Sequence, residues 1–314
     1  MRDLERGMLV RHASLGVGKV VALEPGAVHV FFAAGGKREA TKLRLPLAGP
    51  LLTAVGADGN AWLAGLAGFV HDSKSGRYGL SGSWLSHEEA LARFLKAFPR
   101  GFADPFCTDG APRRERASRW RRAHAAFVEA FGRGEGERLL AVGDVVELVT
   151  RALHVERHVR TTQKDSEKET LQHSLQGAVP VRLFFAALFD TLAAPAPERP
   201  RFEALALAVT MLPGGAREAG WPLVTLFPFI AQPERHMLLL PSFTCEAAQR
   251  LGLDLRYQSE PNWATYAALL SSSNRLLEEL KPLGARDLID VESFLHVATA
   301  KPGARRSSTP RLVT

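Results

Sequence analysis

Short apolar runs separated by glycine dominate the first fifty residues. In the third run, Val28, Val30 and Phe32 alternate with the residues between them, which is the period-two pattern of a half-buried strand. Proline and glycine at 24–26, and a glycine pair at 35–36, favour tight turns between runs. We therefore predict β-strands over residues 8–13, 18–23, 27–33 and 39–45, in a unit ended by Pro46 and Pro50.

Beyond residue 85 the apolar positions recur mostly at helical spacing. Ser86 and Glu89 form a capping box ahead of an apolar stripe, and Asn262 is a cap for a long helix. Before them, two short runs flank a loop at 72–76 and predict two short strands. Later segments are a packed apolar stretch at 222–230 and a short buried strand at 237–240. Helices are predicted over residues 86–98, 112–132, 144–154, 165–176, 180–193, 202–212, 242–251, 262–280 and 287–298.

These patterns predict an α+β protein with a small N-terminal β-barrel and a mainly α-helical body. The tail is rich in Arg, Ser, Pro and Gly and is expected to be disordered. The predicted parts are a β-barrel at 1–50, a mixed α/β connector at 51–110, a helical domain at 111–300 and the tail at 301–314.

Composition is that of a globular protein, with 46% hydrophobic and 23% charged residues. No apolar run reaches the roughly 18 residues of a membrane span, and the charged N-terminus lacks the apolar core of a signal peptide. We therefore expect a cytoplasmic protein that does not bind membranes. Cys107 and Cys245 have no metal-ligand spacing, so both are expected to be free thiols.

The net charge of +7, from 40 Lys and Arg against 33 Asp and Glu, favours an anionic partner, with nucleic acid first. Because the chain is rich in both Arg and Ala, codon bias in a GC-rich genome is an alternative source of this charge. The charge alone therefore leaves the partner open.

The order of strand, glycine turn, strand, turn and Val-x-Val-Phe-Phe strand resembles small Tudor-like or SH3-like barrels. These include the RNA-polymerase-interacting domain of CarD-type regulators and of the transcription-repair coupling factor, and the C-terminal module of UvrD-type helicases. Leu15 departs from the family, where this position is often aromatic. The resemblance covers about an eighth of the chain. It is carried by Gly7, Val10, His12, Leu15, Gly16, Gly18, Val20, Val21, Val30, Phe32, Gly36, Lys37 and Leu43.

This resemblance implies docking to RNA polymerase or to nucleic acid, through an exposed edge strand or a basic face. A barrel that only packs against the rest of the protein is the structural alternative. The Gly16–Gly18 segment is interpreted as a turn between two strands and not as a phosphate-binding loop, since no helix follows it to hold a phosphate. The contact residues expected on the barrel are Arg11, His12, Lys19, Lys37, Arg38, Lys42 and Arg44.

A second candidate surface is the arginine-rich start of the helix predicted at 112–132. Arginines on one helix face neutralise phosphates, and a tryptophan among them could stack on a base. The alternative is a solvated face that pairs with the acidic stretch 129–147, with the tryptophan in the core. The residues are Arg113, Arg114, Arg116, Arg119, Trp120 and Arg122.

Catalytic signals are weak. His154 and His158 have the spacing of a metal pair but lack a third ligand, and no metal or cofactor is predicted. Asp287, Asp290 and Glu292 allow a metal-dependent nuclease, although acids at the start of a helix also complement its dipole. An aromatic-rich block at 221–266 either lines a groove or forms a packed core.

The sequence favours a non-enzymatic adaptor in bacterial DNA transactions, in transcription, repair or defence against foreign DNA. Its expected partners are DNA, RNA polymerase or both, with a further protein partner as an option. The alternatives are the metal-dependent nuclease and a scaffold subunit of a larger complex. Whether the protein is an enzyme stays open.

Overall fold

The chain folds into an N-terminal antiparallel sheet followed by a helical body, which confirms the α+β class. The predicted tail, Lys37, Arg113, Arg114 and most of the helix predicted at 165–176 lie outside the described residues. The computed structural model describes residues 4–32, 38–56, 60–73, 75–80, 84–105, 107, 116–159, 174–213 and 220–300.

The sheet contains the four predicted strands and one more. Its order is β4-β3-β2-β1-β5, and all neighbours are antiparallel. The fifth strand follows Pro50, so the expectation that the prolines end the sheet is wrong. The strands are β1 (Leu9–His12), β2 (Gly16–Glu24), β3 (Ala27–Phe32), β4 (Thr41–Arg44) and β5 (Leu52–Val55).

The edges of this sheet are β4 and β5, and within the described residues they do not pair with each other. The sheet is therefore open, and a closed barrel is not confirmed. Between them the chain makes a short helix at Leu45–Ala48 and a 3-10 turn at Gly49–Leu51. Leu43 and Leu45 turn inward and cover one face of the sheet.

Both faces at the centre of the sheet are covered by apolar side chains. On one face, Val20, Val30 and their neighbours pack under residues from the N-terminal segment and the β4–β5 connection. On the other, Val21 and Phe31 pack against Trp84 and the short helix Ala61–Gly65. Alternate side chains of β2 and β3 therefore pack into two apolar clusters, one on each face of the sheet. The edges and turns remain as the accessible parts of this sheet.

A hairpin continues the edge of the sheet. Its strands are those predicted around the loop at 72–76. The Ala40 amide donates to the Tyr78 carbonyl at 2.7 Å, and Glu39 forms an antiparallel bridge with Gly79. The segment 38–44 therefore pairs first with the hairpin and then with β3. The hairpin strands are β6 (Val70–Asp72) and β7 (Arg77–Gly79).

The helical body is built around one large apolar cluster. Within the described residues no helix is both long and apolar enough to cross a membrane. The helices are α1 (Leu45–Ala48), α2 (Ala61–Gly65), α3 (His87–Ala97), α4 (Arg116–Phe131), α5 (Glu135–Val142), α6 (Val145–Arg157), α7 (Ala178–Ala193), α8 (Arg199–Thr210), α9 (Gly220–Ala231), α10 (Pro241–Leu251), α11 (Trp263–Leu280) and α12 (Leu288–Ala298).

Two helices begin as their caps predict. Ser86 and Glu89 form the reciprocal capping box of α3, and the Asn262 side chain accepts the Thr265 amide of α11. The segment 237–240 is buried but does not form the predicted strand, because it has no ladder partner in the described structure. Helix α5 was not predicted.

The sheet is fastened to the body beside α2. Lys19 donates to the carbonyl oxygens of Ala64 and Leu66, each at 2.7 Å, and Leu66 forms an antiparallel bridge with Leu253. Gly252 has a positive φ of 68°, and a Cβ there would lie 2.6 Å from the Leu66 side chain. The close approach of sheet and body therefore requires glycine at this position.

Candidate nucleic-acid interface

Two arginines of α4, Arg116 and Arg121, bind acidic groups in the first half of α12 and at its N-cap. Arg121 makes a bidentate ion pair with Asp287 and reaches Asp290 at 2.9 Å. Arg286 binds the same Asp290 carboxylate, with Nε 3.0 Å from an oxygen. Asp290 is fully buried, at 0% exposure, so these guanidinium groups neutralise a charge that has no access to water.

Glu292 joins the same cluster one turn further along α12. Arg116 Nε donates to Glu292 at 2.7 Å, and the Trp120 indole N–H donates to the other oxygen at 3.0 Å. Trp120 is fully buried, at 0% exposure, with its ring against Phe229. The expectation that Trp120 stacks on a base is therefore wrong, because its ring belongs to the core.

Nor do the other described α4 arginines form a free basic face. Arg122 is half-buried and donates to Ser118 at 2.6 Å, and Arg119 is half-buried as well. Arg116 is mostly buried in its pair with Glu292. Of the described arginines of this helix, Arg116 and Arg121 thus bind carboxylates inside the protein.

The carboxylates singled out for a nuclease are occupied by these cations. Asp287 also caps α12 by accepting the Ile289 and Asp290 amides. Within the described part of the chain, no group of three or more His, Cys, Asp or Glu residues is arranged to hold a metal ion, including His154 and His158. The arrangement argues against the metal-dependent nuclease.

The aromatic-rich C-terminal block lies largely in the core. Tyr266 stacks on Phe202 with ring centroids 4.6 Å apart, and its hydroxyl lies 3.1 Å from His236 Nδ1. Burial raises the pKa of Tyr266, and burial with the nearby Arg235 lowers the pKa of His236 to about 4. These contacts agree with the packed-core alternative for the block.

Two of the cations expected on the sheet have structural roles. Lys19 is bound to two carbonyl groups at the end of α2, and burial lowers the pKa of its ammonium group. The His12 ring accepts the Ser14 and Leu15 amides at 3.3 Å each and so shapes the β1–β2 turn. These bonds give Lys19 and His12 internal roles, and contact of either residue with a partner stays a prediction. Arg11 is exposed on β1.

The remaining predicted cations of the sheet gather along β4 and its approach. Lys42 and Arg44 alternate along the strand and are exposed, and Arg38 is exposed where the chain pairs with the hairpin. Two hairpin rings lie next to them, with His71 directly opposite Tyr78 and ring centroids 4.8 Å apart. We name this surface the basic–aromatic edge, comprising Arg38, Lys42, Arg44, His71 and Tyr78.

A buried histidine joins the two halves of this surface. The His29 ring lies 4.9 Å from the Tyr78 ring, and His29 is the cross-strand partner of Lys42. Its Nε2 is 2.9 Å from Glu24, which accepts a 2.7 Å hydrogen bond from Lys42. That bond from Lys42, with a smaller contribution from His29, lowers the pKa of Glu24.

Sequence reasoning missed both rings of this surface. The two hairpin strands were predicted, but nothing in their short alternation shows that His71 and Tyr78 pair opposite each other. The signal available was the loop length, since a loop of known length fixes the register of a hairpin. The contact of Tyr78 with His29 depends on the pairing of the hairpin with residues 38–40, which are distant in the chain. No local sequence pattern predicts it.

Comparisons of the chain with protein-family models, with curated proteins and with solved structures found no match.

Proposed function

We propose that this protein is a non-enzymatic adaptor that binds nucleic acid in bacterial DNA transactions, and that the basic–aromatic edge makes the contact. The observation that carries the proposal is the exposure of Lys42 and Arg44 on an edge strand next to the His71–Tyr78 pair. Exposed cations bind phosphates, and neighbouring rings offer flat apolar faces to bases.

The contrast with α4 supports this choice of surface. A cation already paired in the protein interior cannot exchange its carboxylate for a phosphate without leaving a buried charge unpaired. Lys42 has a side chain that is 52% exposed, and its partner Glu24 is itself accessible to solvent. Such surface pairs are weak, so a phosphate can displace the carboxylate.

The finer proposal for the fold is a Tudor-like or SH3-like module. It is supported by the antiparallel order β4-β3-β2-β1-β5 and by the curl that folds Leu43 and Leu45 under the sheet. RNA polymerase is a second candidate partner. Within the described residues β4 is an edge strand, and this favours RNA polymerase because an edge strand can accept a strand from another protein.

The test of nucleic-acid binding is the double charge reversal Lys42→Glu/Arg44→Glu. The matched control is Arg199→Glu/Lys281→Glu, which changes the same residue types and the same net charge on exposed helix positions of the body. Fluorescence anisotropy with labelled single-stranded and duplex DNA, over a range of salt concentrations, reports affinity and its salt slope.

We expect the β4 variant to lose affinity and to lower the salt slope by about one to two units, since each lost phosphate contact removes about 0.7–0.9. The control should keep the slope of the unmodified protein. Equal losses in both variants would mean that net charge alone attracts DNA. Absence of binding by the unmodified protein at low salt would refute the proposal, and co-purification of polymerase would then favour the second candidate.

A further inference from the structure

We infer that the nucleic acid bound at the basic–aromatic edge is single-stranded, and that an unpaired base stacks on the His71–Tyr78 ring pair. This inference rests on the proposed function and specifies its ligand. It uses two rings that the sequence analysis did not select.

The Tyr78 ring is fixed from behind. His29 is fully buried, at 0% exposure, and its ring meets Tyr78 nearly at right angles, with an interplanar angle of 70°. The backbone carbonyl of Tyr78 is held by the Ala40 amide. On the outer side lies the exposed His71, tilted by 50° to Tyr78. Tyr78 thus supports the exposed His71 ring, which is the ring of the pair that a base can reach, and a supported ring loses little freedom when a base stacks on it.

The cations lie where the backbone of such a strand would run. Lys42 is directly opposite His29, whose ring touches Tyr78, so the ammonium group and the ring flank the same buried side chain. Arg44 is two residues further along the same strand, which is about 7 Å in a β-strand. A row of cations beside a stacking ring is the usual arrangement of single-strand binding surfaces.

A duplex fits this surface less well. Base faces are covered by their neighbours in a duplex, so a ring can reach them only by opening the stack. Reading a duplex groove instead needs a helix or ribbon with available polar side chains. On α4, Arg116 and Arg121 are paired with buried carboxylates, and on the hairpin the Asp72 side chain accepts a hydrogen bond from Ser75.

The experiment compares three labelled probes on the full chain: an oligothymidylate, a strand of abasic sites of the same length, and a hairpin duplex with as many phosphates. The unmodified protein should bind oligothymidylate about tenfold more tightly than the abasic strand, since stacking on an aromatic ring contributes about that factor per base. It should also prefer oligothymidylate to the duplex. This comparison needs no variant.

His71→Leu and His71→Phe then assign the effect to the exposed ring of the pair, since the Tyr78 ring is in contact with His29 and His71. His71→Leu should lose about tenfold on oligothymidylate and almost nothing on the abasic strand, and His71→Phe should retain binding. Far-ultraviolet circular dichroism verifies that both variants are folded.

The failures of the two proposals are distinguishable. Equal binding of duplex and single strand, or equal loss on both single strands in His71→Leu, overturns the single-strand inference and leaves the proposed function standing. If the unmodified protein binds none of the probes at low salt, the proposed function itself is overturned.

Discussion

Two arginine- and lysine-rich regions of this protein have opposite roles. On α4, Arg116 and Arg121 bind buried carboxylates of α12 and connect two helices of the body. On β4, Lys42 and Arg44 are exposed at the edge of the sheet. The denser cluster in the sequence is therefore the structural one, and the sparser one remains available to a partner.

The difference follows from what each element faces. Helix α4 packs against α9 and α12, so one side of it lies in the core and its cations must find partners there. Within the described residues, β4 pairs in the sheet with β3 alone, and its inward positions are Thr41 and Leu43 rather than charged residues. Charge density in a sequence is thus a poor guide to charge at a surface.

The largest effect should come from breaking the buried cluster. Asp290→Ala leaves Arg121 and Arg286 without their shared carboxylate, which should lower the free energy of unfolding by about 3–5 kcal/mol. Urea denaturation measures this loss. The control Glu278→Ala removes an exposed pair with Lys281 and should cost about 1 kcal/mol or less. Similar losses in both variants would contradict a structural role for the α4 arginines.

A second test addresses the pH sensitivity of the body. The pKa of His236 is about 4 in the fold, against 6.5 in its unperturbed form, so the unfolded chain takes up a proton between these values that the folded chain does not. Stability should therefore fall as pH decreases from 7 to 4, by about 3 kcal/mol for this group. Urea titrations at several pH values should show a shallower dependence in His236→Gln, and parallel curves would exclude this role.

Lys19 and Lys42 sharpen the comparison within the sheet itself. Lys19→Met removes two charged hydrogen bonds to Ala64 and Leu66 and should destabilise the fold by about 2 kcal/mol, with little change in DNA affinity. Lys42→Met should lower DNA affinity and leave the stability of the fold almost unchanged. Thermal unfolding and anisotropy on both variants provide the two readouts, and the comparison fails if either variant changes both.

The smallest effect should be a gain. Glu24→Gln removes the carboxylate that competes for Lys42, and DNA affinity should rise by roughly two- to fivefold. Glu39→Gln is the matched control, because Glu39 pairs with Arg77, outside the basic–aromatic edge. If anisotropy shows the same gain in DNA affinity for both variants, the gain comes from the change in net charge and not from the release of Lys42.

Local signals predicted much of the fold. The alternation of Val28, Val30 and Phe32 and the caps at Ser86 and Asn262 depend on neighbours within a few residues, and these elements formed. The half-burial predicted for the strand is wrong, because both faces of β3 are covered and all six of its residues are buried. Strand β5 was missed because it is short and follows a proline, and only its pairing with β1 defines it. The strand predicted at 237–240 did not form, because its apolar run has no strand to pair with in the described structure. Pairing decides both cases, and a single segment does not display it.

The site was predictable only in part. Residue type identified Arg38, Lys42 and Arg44, and the structure leaves them exposed. The same criterion selected Lys19 and Trp120, whose burial is set by helices more than forty residues away in the chain. Burial of a cation depends on tertiary contacts that one sequence does not display.

The position of β5 determines where this chain can be divided. Residues 1–50 contain four strands, but β1 then lacks its partner along Leu52–Val55. A fragment cut there would display the outer hydrogen-bonding groups of β1, beside the exposed Leu47, as a template for intermolecular pairing. The sheet would aggregate as a fragment for reasons unrelated to its ligand, and its smallest self-contained form includes β5 and the Lys19 anchor on α2.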